Sequence, residues 1–256
     1  MKTLGLCLSG GSAKGFAHIG LLKTLEEYNI TPTIVSGTSA GAIVGVLFAA
    51  GYKGDDIANF ILESKLRKIF RLQYPEFGLM GLEYLSKRLL EYLPHDSFEA
   101  LNYPVSVCVT NLNTGQPEHI TSGSLTKAVI ASASLPTFFK AVQIGDSMYT
   151  DGGVTCNMPA RAIRDQCEVL VGMNLMSEFT MESVQLRSVK AIARRCFVLS
   201  IWSNTRPDLE VCDLVISDEK IANIGMFELK RAREIIDLGY EATIKRMPEI
   251  LELLKD

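Results

Sequence analysis

Near its start the chain passes twice from a short apolar run, through a glycine turn, into a helical pattern. This repeated strand–turn–helix limits the fold more than any other feature. Thr3 to Leu8 reads as a buried strand and Ser9 to Gly15 as a Gly/Ser loop. Ala17 to Tyr28 then carries Ile19, Leu22, Leu25 and Tyr28 at helical spacing. Thr33 to Ser36 is a second strand, Gly37-Thr38-Ser39 a turn, and Ala40 to Ala50 a second helix. Strands alternating with helices imply parallel strands covered on both faces, so the expected class is α/β with a mostly parallel sheet.

The rest of the chain extends that pattern. Asp55 to Leu93 reads as helical, punctuated by Gly78 and Gly81. Pro104 to Thr110 is a buried strand with Glu118 to Thr121 as its neighbour, and Leu125 to Ala133 is a short helix. Ala141 to Ile144 and Ser147 to Thr150 form a hairpin about Gly145-Asp146. Val169 to Asn174 and Leu214 to Ser217 are further strands. Val184 to Ile201 begins with helical spacing and reads as strand from Cys196 to Ile201, and Phe227 to Arg246 is a long amphipathic helix. No linker, repeat or low-complexity tract divides the 256 residues, so one domain is expected over 1–256. Its motif-bearing part covers about 4–159, and the remainder completes the sheet and ends in the long helix.

Composition removes several function classes. At 47% hydrophobic and 21% charged the chain is globular, and its net charge of -3 gives no footing for nucleic acid. There is no Lys/Arg cluster to hold it on an anionic membrane by charge alone. The longest apolar stretch, Ala40 to Gly51, falls short of the ~18 residues of a membrane span, and no secretory signal is visible. The six cysteines are scattered, without a C-x-x-C pair, and read as free thiols in a reducing cytoplasm. Asp, Glu and His near the motifs do not repeat at ligand spacing, so neither a metal nor a cofactor is expected. The pattern sets no oligomeric state.

Gly37-Thr38-Ser39-Ala40-Gly41 is a G-x-S-x-G turn between a strand and a helix, the context that holds a nucleophilic serine on a tight turn. Ser39 as a plain helix cap is the simpler alternative, but a cap needs one hydroxyl and not two flanking glycines. A histidine base is hard to place, because His18, His95 and His119 all precede Asp151. A Ser–acid–His order therefore cannot be built with that aspartate. His119 reads as a surface residue, and His18 lies where it could help shape the site. Asp151-Gly152-Gly153, at a strand end, offers a carboxylate base instead, or else an aspartate bonding its own turn. An unperturbed carboxylate, at about 3.9, is a weak base, so the site must raise that value or stabilise the oxyanion. Gly10-Gly11-Ser12-Ala13-Lys14-Gly15 departs from both nucleotide-loop spacings and reads as an oxyanion loop.

Together these motifs make the chain resemble the bacterial patatin-like phospholipases. That family carries a G-G-G-x-K/R-G loop, a G-x-S-x-G turn and a D-G-G/A motif in this order. Ala131-Ser132-Ala133-Ser134-Leu135-Pro136 is similar to its A-S-x-S-x-P block, followed by Phe138 or Phe139. Asn157, Pro159 and Ile236 to Ala242 fit as well. Ser12 is a departure, standing where the family has its third glycine. The resemblance implies a three-layer α/β/α fold and a Ser39–Asp151 dyad, with the N–H groups of Gly10, Gly11, Ser12 and Ala40 holding the oxyanion. Ala13, Lys14, Gly15, Gly37, Thr38, Gly41, Gly152 and Gly153 support them. The implied substrate is a lipid or other acyl ester, with transient contact at a membrane surface, in a cytoplasmic or membrane-peripheral protein. An acyltransferase on the same acyl-serine and a non-catalytic lipid binder are the competing readings. The apolar residues of Asp55 to Leu93 (Phe60, Ile61, Ile69, Phe70, Leu72, Tyr74, Phe77, Leu79, Met80) suit either core or an acyl-chain lid.

Overall fold

The computed structural model describes residues 2–62, 78–136, 138–178 and 180–255. Among these, eight strands form one mixed sheet: β1 (Leu4–Leu8), β2 (Ile34–Thr38), β3 (Val105–Asn111), β4 (Pro117–Ile120), β5 (Val142–Ile144), β6 (Ser147–Asp151), β7 (Val169–Met173) and β8 (Leu214–Ile216). Strands β3, β2, β1, β7 and β8 run parallel in that order, and the β4 and β5–β6 additions are antiparallel. Every residue of β1, β2, β3 and β7 is buried, as parallel strands covered on both faces require.

The helices are α1 (Phe16–Glu27), α2 (Ala40–Ala49), α3 (Gly54–Leu62), α4 (Gly78–Tyr92), α5 (Leu125–Ser132), α6 (Val189–Leu209), α7 (Glu219–Ala222) and α8 (Ala232–Leu253). One sheet face sends Leu6, Leu8, Val35 and Val171 into the main core with α1, α2 and α8. The other sends Cys7, Ile34 and Leu170 against Met158, Ala160 and Ile163. Among the described residues no helix is long and apolar enough to cross a membrane.

The register along β3 fixes the site. Cys108 pairs with both Thr38 and His119, and Val109 with both Glu118 and Asp151. A strand residue has one partner on each edge, so β4 occupies one edge while β2 and then β6 share the other. Where β2 leaves the sheet after Thr38, β6 arrives from the opposite direction and ends at Asp151.

Two expectations are corrected. Cys196 to Ile201 is not strand but the middle of α6, which runs on through Pro207. Val198, Ile201 and Trp202 are buried at helical spacing against Met176, so packing overrides the local strand-like run. The last helix begins at Ala232 rather than Phe227, after a 3-10 turn over Leu229–Arg231, and extends across Pro248 to Leu253. Of the lid expectation, Phe60 is core and Ile61 is partly buried against it. Ile69, Phe70, Leu72, Tyr74 and Phe77, with the side chains of Leu79 and Met80, lie outside the described residues.

Helices α1 and α8 touch through glycine. A Cβ on Gly239 would meet the Ala17 carbonyl oxygen at 2.1 Å, and one on Gly20 the Ile236 oxygen at 2.2 Å. These contacts are backbone to backbone and cannot yield without parting the helices. Gly239→Ala is therefore expected to lower stability by about 2–3 kcal/mol, measured by urea denaturation. An unchanged midpoint would show that the helices separate freely.

Candidate active site

Ser39 lies between β2 and α2 at φ 53, ψ -117, a backbone conformation that a non-glycine residue adopts only under strain. Its neighbours make the turn possible. A Cβ on Gly41 would meet the Leu8 carbonyl oxygen at 2.2 Å, and one on Gly37 the Ala42 nitrogen at 2.7 Å. The glycines expected to let the turn close do so by admitting backbone where a side chain would clash. Thr38, buried before the turn, donates to the Cys156 carbonyl at 3.1 Å.

Asp151 ends β6, 4% exposed, and caps the following 3-10 turn by accepting the Gly153 N–H at 2.8 Å. The turn-aspartate alternative is thus part of its geometry. The Ser39 hydroxyl is a second hydrogen-bonding neighbour of the carboxyl, but a looser one, short of a formed bond. Such contacts commonly tighten only in the substrate complex. Burial pushes the Asp151 pKa up from 3.8 to about 6, against the opposing pull of Ser39 and the Gly153 N–H. A carboxylate here is the stronger base the sequence required.

Helix α5 ties the two residues together. Ser132 Oγ accepts the Ser39 N–H at 2.8 Å and donates to the Cys108 carbonyl at 2.6 Å. The Ser134 carbonyl accepts the Asp151 N–H at 3.1 Å and the Thr150 hydroxyl at 2.6 Å. Asn204 of α6 does the same for the far wall, accepting the Asn157 N–H at 3.0 Å and donating to the Gly153 carbonyl at 3.0 Å. The serines stood in a recognised sequence block, whereas nothing in the pattern of α6 marks Asn204.

The glycine loop folds against the turn, with a Cβ on Gly15 meeting Ala40 Cβ at 2.4 Å. Of the four expected oxyanion donors, Gly10 is corrected: its N–H donates to the Asn157 carbonyl at 2.9 Å. Among the described residues no hydrogen bond engages the N–H of Gly11, Ser12 or Ala40. Ala13 donates its N–H to the Met226 carbonyl at 3.0 Å. Lys14 turns away from Ser39, its Nζ 2.6 Å from the Ala222 carbonyl. His18 Nε2 donates to the Ser9 carbonyl at 2.8 Å, and burial lowers its pKa to about 4, so it braces the loop as a neutral ring. His95 and His119 are exposed.

Ser39, Asp151, Gly11, Ser12 and Ala40 line one cavity of about 1000 Å³, including its open mouth. Its wall is otherwise mostly apolar, with Phe16, Ile43, Phe60, Leu85, Phe139 and Phe227 among the lining residues. At 4.9 Å between ring centroids, Phe138 packs on Phe227.

Residues 6–163, more than half of the chain, match the family model described as Patatin-like phospholipase. An uncharacterized NTE family protein of Mycobacterium tuberculosis is 28% identical over 62% of this chain and 45% of its own length. Lysophospholipase nte1 of Aspergillus fumigatus is 28% identical over 61% of this chain and 11% of its own. The chain thus spans less than half the length of these relatives. The crystal structure of VipD from Legionella pneumophila superposes with a TM-score of 0.57 at 15% identity, covering 97% of this chain and 67% of that one, and shares its fold.

Two predictions follow from the strained and buried groups. Ser12 sits at φ 53, where serine costs about 1 kcal/mol or more. Ser12→Gly should raise stability by about 0.5–1 kcal/mol in urea, glycine's freer unfolded chain offsetting the rest; a lower midpoint would contradict the strain. For Asp151, a folded pKa above the unfolded one means that stability is lost as pH rises from 3.8 to about 6. Asp151→Asn should therefore gain about 3 kcal/mol over the native chain at pH 8 relative to pH 3.5. Melting curves showing the same difference at both pH values would refute it.

Proposed function

For a chain that belongs to the patatin-like phospholipase family, we propose a lipid acyl hydrolase working through Ser39 and Asp151. Asp151 takes the proton from Ser39 Oγ as that oxygen attacks the ester carbonyl. The N–H groups of Gly11, Ser12 and Ala40 hold the negative charge that develops on the carbonyl oxygen. Each such donor is worth about 3–4 kcal/mol of barrier. The alcohol leaves with the proton held by Asp151, and Ser39 keeps the acyl group. Asp151 then takes a proton from water as the water oxygen attacks the acyl-serine; the bond to Ser39 Oγ breaks, Asp151 returns the proton to that oxygen, and a fatty acid departs.

One juxtaposition carries the reading. The strained serine, the buried carboxylate and the unengaged N–H groups line a single cavity whose remaining wall is mostly hydrocarbon. A fatty-acyl chain matches such a wall, each buried methylene contributing about 0.8 kcal/mol. The name of the fungal relative, a lysophospholipase, favours a phospholipid or lysophospholipid ester over a water-soluble one.

A fluorophosphonate probe tests the assignment. The native chain should carry the label on Ser39, with none in Ser39→Ala and at least a hundredfold slower labelling in Asp151→Asn. The labelling rate should fall below about pH 6 as Asp151 is protonated. A folded protein that leaves Ser39 unlabelled, or an Asp151→Asn variant labelled at the native rate, would remove the corresponding role.

A further inference from the structure

Three backbone groups of the segment after Asp151 end on one side chain. Asn204 of α6 accepts the Asn157 N–H at 3.0 Å and donates to the carbonyls of Gly153 at 3.0 Å and Val154 at 3.2 Å. One amide, used as donor and acceptor together, thereby closes both ends of the bend 153–157. One turn further along α6, buried Asp208 accepts the Arg161 N–H at 2.8 Å. Residues four apart on a helix share a face, so Asn204 and Asp208 brace 153–161 from the same side. Asn204 touches neither proposed reacting group, and it lies beyond the residues that the family model matches.

Both ends of the bend bear on the site. At one end the Gly153 N–H donates to the Asp151 carboxyl at 2.8 Å. Burial raises the Asp151 pKa to about 6, and the Ser39 hydroxyl and this N–H oppose it by favouring the charged form. At the other end the Asn157 carbonyl accepts the Gly10 N–H at 2.9 Å, and a Cβ on Gly10 would meet Asn157 Oδ1 at 2.5 Å. Gly11 and Ser12, with their unengaged N–H groups, follow Gly10 directly. Among the described residues no other acidic or basic side chain lines the cavity. The titratable group acting on Asp151 from β3 is the Cys108 thiol, kept neutral by its contact with Cys156 and by burial.

We propose that Asn204 is a positioning residue for the proposed base and the oxyanion loop together: it fixes the Gly153 N–H on Asp151 and, through Asn157, the seat of Gly10. The assignment rests on the acyl hydrolase reading for its consequence in catalysis and not for its effect on the Asp151 carboxyl. Without the amide the turn Gly152–Val154 loosens, the Gly153 N–H leaves the carboxylate, and the charged form loses support. The Asp151 pKa then rises further above 3.8, so the carboxyl is protonated at pH values where the native chain holds it charged.

Carbon-13 NMR of the full chain, labelled at its aspartate carboxyls, reads that ionisation directly, the Asp151 signal being the one lost in Asp151→Asn. It should titrate at about 6 in the native chain and at least about half a pH unit higher in Asn204→Ala. Asn204→Leu, closer in size, takes its place if circular dichroism shows the alanine variant unfolded. Thr205→Val is the control: it removes a buried hydrogen bond of the same helix, from Thr205 Oγ1 to the Ile201 carbonyl at 2.7 Å, and should leave the titration where it is. Fluorophosphonate labelling of Ser39 in Asn204→Ala should have its acid limb moved up with the carboxyl and a plateau at least about tenfold lower, through the displaced oxyanion donors. An Asp151 titration unmoved in the folded Asn204 variant, or moved as far by Thr205→Val, overturns the proposal, as does failure of both Asn204 variants to fold. A shifted carboxyl beside a native plateau overturns the hold on the glycine loop. A shifted carboxyl in a chain whose Ser39 takes no label removes the hydrolase reading and leaves the positioning of Asp151 standing.

Discussion

Strand β3 has one edge that two other strands share, and the site depends on that sharing. β2 pairs with it as far as Cys108 and β6 takes over at Val109, so a parallel strand and an antiparallel one meet end to end. The residue after the first is Ser39 and the last residue of the second is Asp151. Backbone pairing sets this distance before any side chain takes part. Ser132 then fastens the turn to β3 through the Cys108 carbonyl, and Ser134 fastens the end of β6. The two proposed reacting groups are held by one strand and one helix, whose buried hydrogen bonds are costly to leave unmade.

That frame sustains three unfavourable features at once: a non-glycine residue at φ 53 in the turn, another at φ 53 in the glycine loop, and a buried carboxylate that has no cation partner among the described residues. Each costs of order 1–3 kcal/mol. They persist because the parallel core around β1 over-determines the backbone on either side. The same burial that destabilises the Asp151 carboxylate raises its proton affinity to about 6, so stability given up there is basicity gained.

The parts of the fold legible in the sequence were those written in local periodicity. Both strand–turn–helix units stand where the spacing put them, because β1, β2 and their helices are apolar runs cut by glycine. The positive φ at Ser12 was legible as a serine where a glycine belongs. What local pattern could not carry was pairing between distant segments. Nothing near Asp151 says that it will follow Thr38 along the same edge of β3, nor does Asn157 announce that its carbonyl occupies the Gly10 N–H. Residues 196–201 misled for a related reason: Phe197, Val198, Leu199 and Ile201 favour a strand locally, while the tertiary contact of Val198, Ile201 and Trp202 with Met176 decides for a helix.

The span that matches the family model supplies most of the sheet and, around Ser39, the turn, the glycine loop and Asp151. The remainder supplies what lies further from it. Phe197 and Ile201 of α6, with Met226, Phe227 and Leu229 before α8, join the wall of the cavity that holds Ser39. A bond-breaking centre tolerates little variation in geometry, since displacement of about 1 Å costs heavily in rate. A wall that only has to match hydrocarbon can change residue by residue without disturbing the sheet. The span matched to the family accordingly holds the turn, the loop and Asp151, while part of the cavity wall lies beyond it. On the proposed reading, chain-length preference is to be sought in α6 and the segment leading into α8.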